Sequence, residues 1–396
     1  MLTWGALLGA RGRWWAADLG LPQPPYPDEG EGSDQGPGTH QRDSAGDQAP
    51  WPQVAIVVPA HNEASLVRTT LTSLLAQSYP GGARVFFVDD ASTDATGDIA
   101  RQMSAELHPG HPVRLQVVSG APRPSGWAGK PWAMHQGFCA ALEQEPGWHP
   151  QYVLFTDADI VHEPLSLRRL VHAALAHHLG AVSLMAKLSC TSPWERLLVP
   201  AFVYFFAQLY PFARVNDRAA KTAAAAGGCL LVDTATLLGA GGIKAIQGRT
   251  IDDVSLARAL KRSGAPIWLG LAGGPAAPEV DSIRYYPSLS SLWEMVARNA
   301  YTQLRHQPLL LVGTLGAMAN TYLGPPALLV WGVAKRRPSY AISGALAWSA
   351  MAATYAPMLR YYGRRRLEAF ALPLTAALYA AMTATSAWRH YQRHRR

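Results

Sequence analysis

Asp157 and Asp159 stand two residues apart, directly after the apolar run Tyr152 to Thr156. Two carboxylates at that spacing after a buried strand can both approach one divalent cation through oxygen, as Mg2+ or Mn2+ carried on a diphosphate requires. Such a cation neutralises the charge that builds on a departing nucleotide. Without a partner, buried carboxylates would cost several kcal/mol. A second acidic cluster, Val88-Asp89-Asp90-Ala91-Ser92-Thr93-Asp94, ends another apolar run. A carboxylate there can accept hydrogen bonds from a base imide or from ribose hydroxyls. The plainer alternative makes Asp89 and Asp90 strand-end polar residues and Ser92 a helix N-cap. Pro59-Ala60-His61-Asn62-Glu63 closes a third run, with backbone donors, Asn62 and Glu63 at the same edge, or with Asn62 serving only as a cap. In Gly126-Trp127-Ala128-Gly129-Lys130-Pro131-Trp132-Ala133, two glycines permit close backbone approach and Lys130 offers a cation to phosphate. Asp252 and Asp253, in Thr250-Ile251-Asp252-Asp253-Val254, open a helix, where the macrodipole favours acids.

These clusters need a scaffold that delivers several strand ends to one edge. Between Val54 and about Trp268, short β-branched runs alternate with amphipathic stretches, the pattern of strand-helix units around a mostly parallel sheet. The expected strands are Val54 to Pro59, Arg84 to Val88, Val113 to Val118, Tyr152 to Thr156, Ala181 to Ala186 and Cys229 to Val232. Helices are expected at Glu63 to Ala76, Asp94 to Leu107, Lys130 to Leu142 and Pro164 to His178. Ligands of such α/β sheets bind at the carboxyl ends of the strands, where the acidic clusters fall.

Taken together, the Val-Asp-Asp-x-Ser-x-Asp strand end and the later Asp-x-Asp resemble the family-2 glycosyltransferases with the GT-A fold, over roughly Val54 to Leu260. The resemblance implies a Rossmann-like mixed sheet and a nucleotide-diphosphate-sugar donor bound near Pro59, His61, Asn62, Glu63, Asp89, Asp90, Lys130 and Asp157. It also implies a divalent metal, Mg2+ or Mn2+, at Asp159 with Asp157. Asp253, beside Asp252, resembles the base of a Glu-Asp pair that takes the proton of an acceptor hydroxyl in an inverting displacement, with Asp252 in place of the Glu. The Trp127 to Ala133 string, Gln136-Gly137 and Gly227-Gly228-Cys229 look like the hopene-associated subgroup, encoded with hopanoid lipid synthesis genes in bacteria. That subgroup implies a lipid-borne acceptor. Membrane-bound relatives often carry Gln-x-x-Arg-Trp; here only Arg298, Gln303 and Arg305 stand in a comparable stretch, which argues against a polysaccharide synthase. A polyprenyl phosphate acceptor and a non-catalytic membrane scaffold are the rival readings. A dinucleotide oxidoreductase is disfavoured, because no Gly-x-Gly-x-x-Gly follows the first strand.

The 396 residues are 49% hydrophobic but only 16% charged, against about 25% charged in an average soluble domain. The net charge of +8 is local: from Lys335 onward, eleven Lys or Arg face one acid, Glu368, and the rest of the chain sums to −2. Basic clusters alternating with apolar runs suit anionic lipid head groups, not nucleic acid. Three apolar segments, Leu309 to Ala334, Tyr340 to Pro357 and Phe370 to Trp388, are candidate membrane helices within 308–396. Leu197 to Phe212, broken by Pro200 and Pro211, suits a membrane-surface helix or a buried one. The expected organisation is an interfacial segment at 1–21, a disordered linker at 22–50, with six prolines, five glycines and six acids, a catalytic domain at 51–290, and an interfacial helix at 291–307. No export signal is indicated, so the expected location is a bacterial inner membrane with the catalytic domain on its cytoplasmic face. Cys139, Cys190 and Cys229 have no paired spacing, which excludes a disulfide framework or a Cys-based zinc site.

Overall fold

The structure, a computed structural model, describes Trp15, Leu21 and residues 51–143, 146–273 and 279–394. The expected 22–50 linker and, Trp15 and Leu21 apart, the 1–21 segment lie outside the described residues.

Seven strands form the central sheet: β1 (Val54–Ala60), β2 (Ala83–Asp89), β3 (Val113–Ser119), β4 (Tyr152–Phe155), β6 (Ala181–Met185), β7 (Leu230–Asp233) and β8 (Ile267–Leu271), in the order β3-β2-β1-β4-β7-β6-β8. All seven residues of β1 but Pro59 are fully buried, which is why it reads as an unbroken apolar run. Helices α1 (Val67–Leu75), α2 (Thr96–Glu106), α3 (Gly129–Leu142) and α4 (Ser166–Ala176) cover the sheet, within a few residues of the expected spans. Gly137 explains how closely α3 sits: a Cβ there would lie 2.6 Å from Val57 Cγ1 and 2.8 Å from Val88 Cγ2.

Registers set the site. Ala60 pairs with Asp89 and Asp89 with Ser119, so these strand ends lie level. The chain leaves edge strand β3 and re-enters beside β1 as β4, which makes the β1/β4 boundary the switch point where a crevice opens. β7 is antiparallel to both β4 and β6, and Leu230 pairs with Phe155. The start of β7, with Gly227 and Gly228 before it, therefore meets the carboxyl end of β4. A second, two-stranded sheet joins β5 (Ile160–His162) to β9 (Val280–Ser282); neither strand is expected from the sequence, because three residues carry no periodicity.

Helix α5 (Pro193–Leu209) opens on a capping box of Ser192 and Glu195 and carries Pro200 inside it. One side of it, with Leu198, Val199, Ala201, Val203, Tyr204 and Ala207, is buried in the protein, which favours the second of the two readings of Leu197 to Phe212, while Trp194 and Leu209 stay exposed. Tyr204 bonds Thr354 at 2.8 Å and Tyr379 donates to the Leu198 carbonyl at 2.9 Å. After the short helices α6 (Phe212–Asn216), α7 (Thr234–Gly239) and the longer α8 (Asp252–Arg262), the carboxyl-terminal part comprises α9 (Leu289–Gln303), α10 (Pro308–Met318), a π-helical turn (Ala319–Leu323), α11 (Gly324–Ala334), α12 (Pro338–Tyr361) and α13 (Leu372–His394). α11 and α12 form a hairpin in backbone contact: a Cβ on Gly344 would sit 2.4 Å from Leu329 N. Of the three segments expected as membrane helices, the last lies in a stretch, Arg366–Gln392, long and apolar enough to cross a membrane by length and composition. Leu309 to Ala334 is divided by the π turn, and Tyr340 to Pro357 lies within α12.

Candidate active site

At the switch point the strand-end residues converge. The turn after β1 is tied to the loop after β2: His61 Nδ1 donates to the Asp90 carbonyl at 2.7 Å, and Asn62 Oδ1 accepts from Thr93 N at 2.8 Å. Asn62 has φ 57°, and α1 begins at Val67 with no side-chain cap, so Asn62 is a loop brace and not a helix cap. Ser92 is likewise no cap: α2 starts at Thr96 and the Ser92 hydroxyl accepts from Asn62 N at 3.1 Å. Asp89 spends its carboxylate inside its own loop, accepting from Ser92 N at 3.1 Å and lying 3.9 Å from Arg101. The Asp90 carboxylate takes no part in these contacts. Burial raises its carboxyl pKa, while His61 and Arg123 pull it back.

Deeper in the crevice, Lys130 Nζ lies 2.6 Å from Asp157 and 3.3 Å from Asp252. Burial alone would lower the lysine pKa, but Asp157, Asp252 and Asp253 raise it further still, and it stays charged. The Asp157 carboxyl is pushed up, first by burial and then by Asp159 and Asp252, against the pull of Lys130. Pro59, Lys130, Phe155, Asp157, Gly227, Asp252 and Asp253 line one small cavity of about 10 Å3, room for a single water.

Asp252 and Asp253 lie in the first turn of α8, and neither caps it: the N-cap is Ile251. Asp253 instead accepts from Gly227 N at 3.1 Å and from Val254 N at 2.6 Å. Burial and the neighbouring Asp252 push its pKa up to about 7, the range in which a carboxylate serves best as a general base. Tyr210 is a neighbour of both Asp253 and Arg258, whose charges act on its hydroxyl in opposite senses, and it donates to Gln303 at 3.3 Å. Gln303 is thus tied to a neighbour of Asp253, whereas Arg305 adopts φ 53° in the turn after α9. Arg298 sits on α9 near Tyr286 and Glu294.

Asp159 departs most from expectation. Its carboxylate accepts from Arg284 Nε at 2.8 Å, and the same guanidinium pairs with Glu63. Arg284 carried no motif, and 125 residues separate it from Asp159; only the β5–β9 pairing brings them together. A buried polar chain lies behind. Thr156 donates to the Gly228 carbonyl at 2.8 Å, so His162 Nε2, at 2.9 Å, must donate to Thr156. Burial lowers the His162 pKa to about 4, which keeps it neutral.

The donor set at Asp157 and Asp159 consists of oxygens only. Among the described residues no cluster of three or more His, Cys, Asp or Glu could cage a metal. Two carboxylates on one turn fit a hard cation that takes its remaining ligands from diphosphate and water.

Residues 55–235 match the family model described as Glycosyl transferase family 2. Over 121 residues the chain is 29% identical to "Probable glycosyltransferase YdaM" of Bacillus subtilis (strain 168), covering 30% of this chain and 26% of that protein. Over 108 residues it is 33% identical to TuaG of the same organism, a candidate teichuronic acid biosynthesis glycosyltransferase, covering 27% and 36%. The chain thus aligns to about a quarter to a third of the length of these relatives. Among solved structures, the mannosyltransferase PcManGT from Pyrobaculum calidifontis, in complex with GDP-Man and Mn2+, is 20% identical with a TM-score of 0.49, covering 88% of this chain and 89% of that one. The β1 turn, the β2 acids, Lys130 and the Asp-x-Asp turn all lie within the stretch, residues 55–235, that matches this family model.

Proposed function

We propose that the chain is an inverting glycosyltransferase that moves a sugar from a nucleotide-diphosphate donor to a hydroxyl on a lipid at the membrane surface. The observation that carries this reading is Asp253, a half-buried carboxylate held by Gly227 N and Val254 N beside the Lys130–Asp157 pair, with its pKa raised to about 7. Asp90 and the 59–63 turn would receive the nucleoside, and Lys130 the diphosphate. Asp157 and Asp159 would hold Mg2+ or Mn2+, which when bound supplies Lewis-acid neutralisation of the leaving diphosphate. Asp253 takes the acceptor O–H proton as that oxygen bonds to the anomeric carbon. The bond from that carbon to the donor phosphate oxygen breaks, and its electron pair leaves with the nucleoside diphosphate. Fixed charges aimed at this leaving group supply most of the rate.

The lipid acceptor and membrane setting rest on the carboxyl-terminal helices. No residue of α10 is buried, and Leu309, Val330 and Ile342 are 87%, 67% and 59% exposed. Lys335, Arg336 and Arg337 form the exposed tip of the α11–α12 hairpin, where anionic lipid would reward them. The Trp127 to Ala133 string makes a hopanoid hydroxyl the first acceptor to offer, and the proposed location is the cytoplasmic face of a bacterial inner membrane. The test is nucleotide release by detergent-purified protein from a panel of nucleotide sugars with Mn2+ or Mg2+, with and without bacterial lipid extract. Lipid-stimulated release from one donor, absent in Asp253→Asn, is the expected result; no release from any donor by folded protein overturns it.

A further inference from the structure

Asp157, Asp252 and Asp253 line the cavity, Asp159 follows two residues after Asp157, and each acid of the Asp-x-Asp turn already has a side-chain cation. Lys130 holds Asp157 at 2.6 Å, and Arg284 holds Asp159 at 2.8 Å while pairing with Glu63. The backbone just ahead of Arg284 is anchored beside Asp159. Ile283 N donates to the Asp159 carbonyl at 2.9 Å, β9 pairs with β5 just ahead of it, and Ser282 Oγ lies 3.4 Å from the same Asp159 oxygen that Arg284 engages. Its side chain is 35% exposed, so the guanidinium keeps a face open to solvent. A cation bound to Asp159 must share or take the oxygen that Arg284 occupies, and two positive groups on one carboxylate repel. A freed guanidinium needs a new anionic partner, and its planar fork matches phosphate oxygens.

We propose that Arg284 is the resident counter-ion of Asp159, exchanged for a divalent cation when the donor arrives and transferred to the donor's diphosphate. This rests on the donor-site reading above and extends it. Metal and nucleoside diphosphate then bind as a pair: metal alone meets a site already neutralised from within, while the two together give Arg284 somewhere to go. Binding free energies are reciprocal, so each should tighten the other by the same factor.

The experiment is Mn2+ binding to the full chain in detergent, read as loss of the free Mn2+ electron paramagnetic resonance signal, alone and with UDP or GDP. A protein-free titration corrects for chelation by the nucleotide. Wild type, Arg284→Gln and Arg284→Lys are compared. In the wild type, nucleoside diphosphate should tighten Mn2+ binding about tenfold or more, within the usual range of such couplings. In Arg284→Gln, Mn2+ alone should bind several-fold tighter than in wild type and the coupling should largely vanish. Arg284→Lys, which keeps the charge without the fork, should stay near wild type for Mn2+ alone with reduced coupling. Equal or weaker Mn2+ binding by Arg284→Gln, or undiminished coupling, overturns the exchange and leaves the donor site standing. No Mn2+ binding by any of the three proteins, with or without nucleotide, overturns both.

Discussion

Asp253→Asn replaces one carboxylate oxygen by an amide nitrogen and removes a charge from the crevice. The variant keeps an oxygen for Val254 N but turns a donor toward Gly227 N–H, losing a bond at 3.1 Å that is worth about 0.5–1.5 kcal/mol. Against that loss stand the two effects that raise Asp253 to about 7, burial of its charge and repulsion by Asp252, both of which the amide relieves. The sign follows from proton linkage. Asp253 titrates near 3.8 in an unfolded chain and near 7 in the folded one, so the native state binds the extra proton between those values. Its ionisation therefore costs stability as the pH rises through that window. The variant lacks this cost, and its melting temperature should equal or exceed that of wild type above neutral pH while falling slightly below it near pH 4. Activity should move the other way. A positioned base contributes about 10²–10⁴ in rate, or about 3–5 kcal/mol of barrier. Wild-type kcat/KM should rise tenfold per pH unit on the acid side and level off above about pH 7, and the residual rate of the variant should lack that rise. Initial rates of nucleotide release and thermal melts over the same pH series provide both readouts. A variant retaining more than about a tenth of wild-type kcat/KM, outside the range expected for a base, would refute the assignment. So would a wild-type profile flat from acid to neutral pH.

Three further outcomes are expected. Asp159→Asn should lose metal-dependent turnover by about 10²-fold or more, measured as nucleotide release across a Mn2+ titration, and an unchanged metal response would refute the site. Gly137→Ala places a methyl 2.6 Å from Val57 Cγ1 and 2.8 Å from Val88 Cγ2, both in the buried sheet; the overpacking should cost about 1–3 kcal/mol in denaturant unfolding. Val330→Glu with Ile342→Glu, at exposed positions of the α11–α12 hairpin, should leave thermal stability in detergent unchanged yet abolish flotation with anionic vesicles, since a charge in the bilayer core costs about 2.5–3.5 kcal/mol. Undiminished flotation would place that hairpin outside the bilayer.

Legibility in the sequence tracked the length over which a physical signal persists. From Val54 to Met185, β1, β2, β4 and β6 are apolar runs buried on both faces, edge strand β3 alternates buried and exposed at its start, and helices lie between them, so the order and approximate ends of these elements, β5 apart, could be read directly. The reversal of β7 could not, because Leu230–Asp233 has the same composition in either direction and only its partners, Asp233 with Tyr152 and Leu230 with Phe155, fix it. That reversal is what lays Gly227 against Asp253. Spacing likewise could not distinguish Asp89 from Asp90: adjacent strand-end residues point to opposite sides, and here Asp89 turns into the α2 loop, where a Cβ on Gly97 would sit 2.0 Å from its carboxylate. Leu197 to Phe212 was ambiguous because an apolar helix carries no mark of what covers it; its cover, Thr354 and Tyr379, lies 150 and more residues away.

Arg284 shows why acids were legible in this site and their counter-charges were not. A metal-binding or base carboxylate must stand at a strand end or helix start, so local pattern constrains its position. A counter-ion needs only reach, and Arg or Lys has several rotatable bonds with which to attain it from almost any neighbouring element. Lys130 was found because glycines and a helix start marked its loop, whereas Arg284 follows a three-residue strand with no such marks. The charge of the crevice could therefore be read from sequence only as an excess of carboxylate, an excess that implies a cation without saying whether protein or ligand provides it. In the structure Lys130 and Arg284 neutralise the Asp-x-Asp turn; under the exchange proposed above, the same two groups would follow the diphosphate when a metal takes their carboxylates.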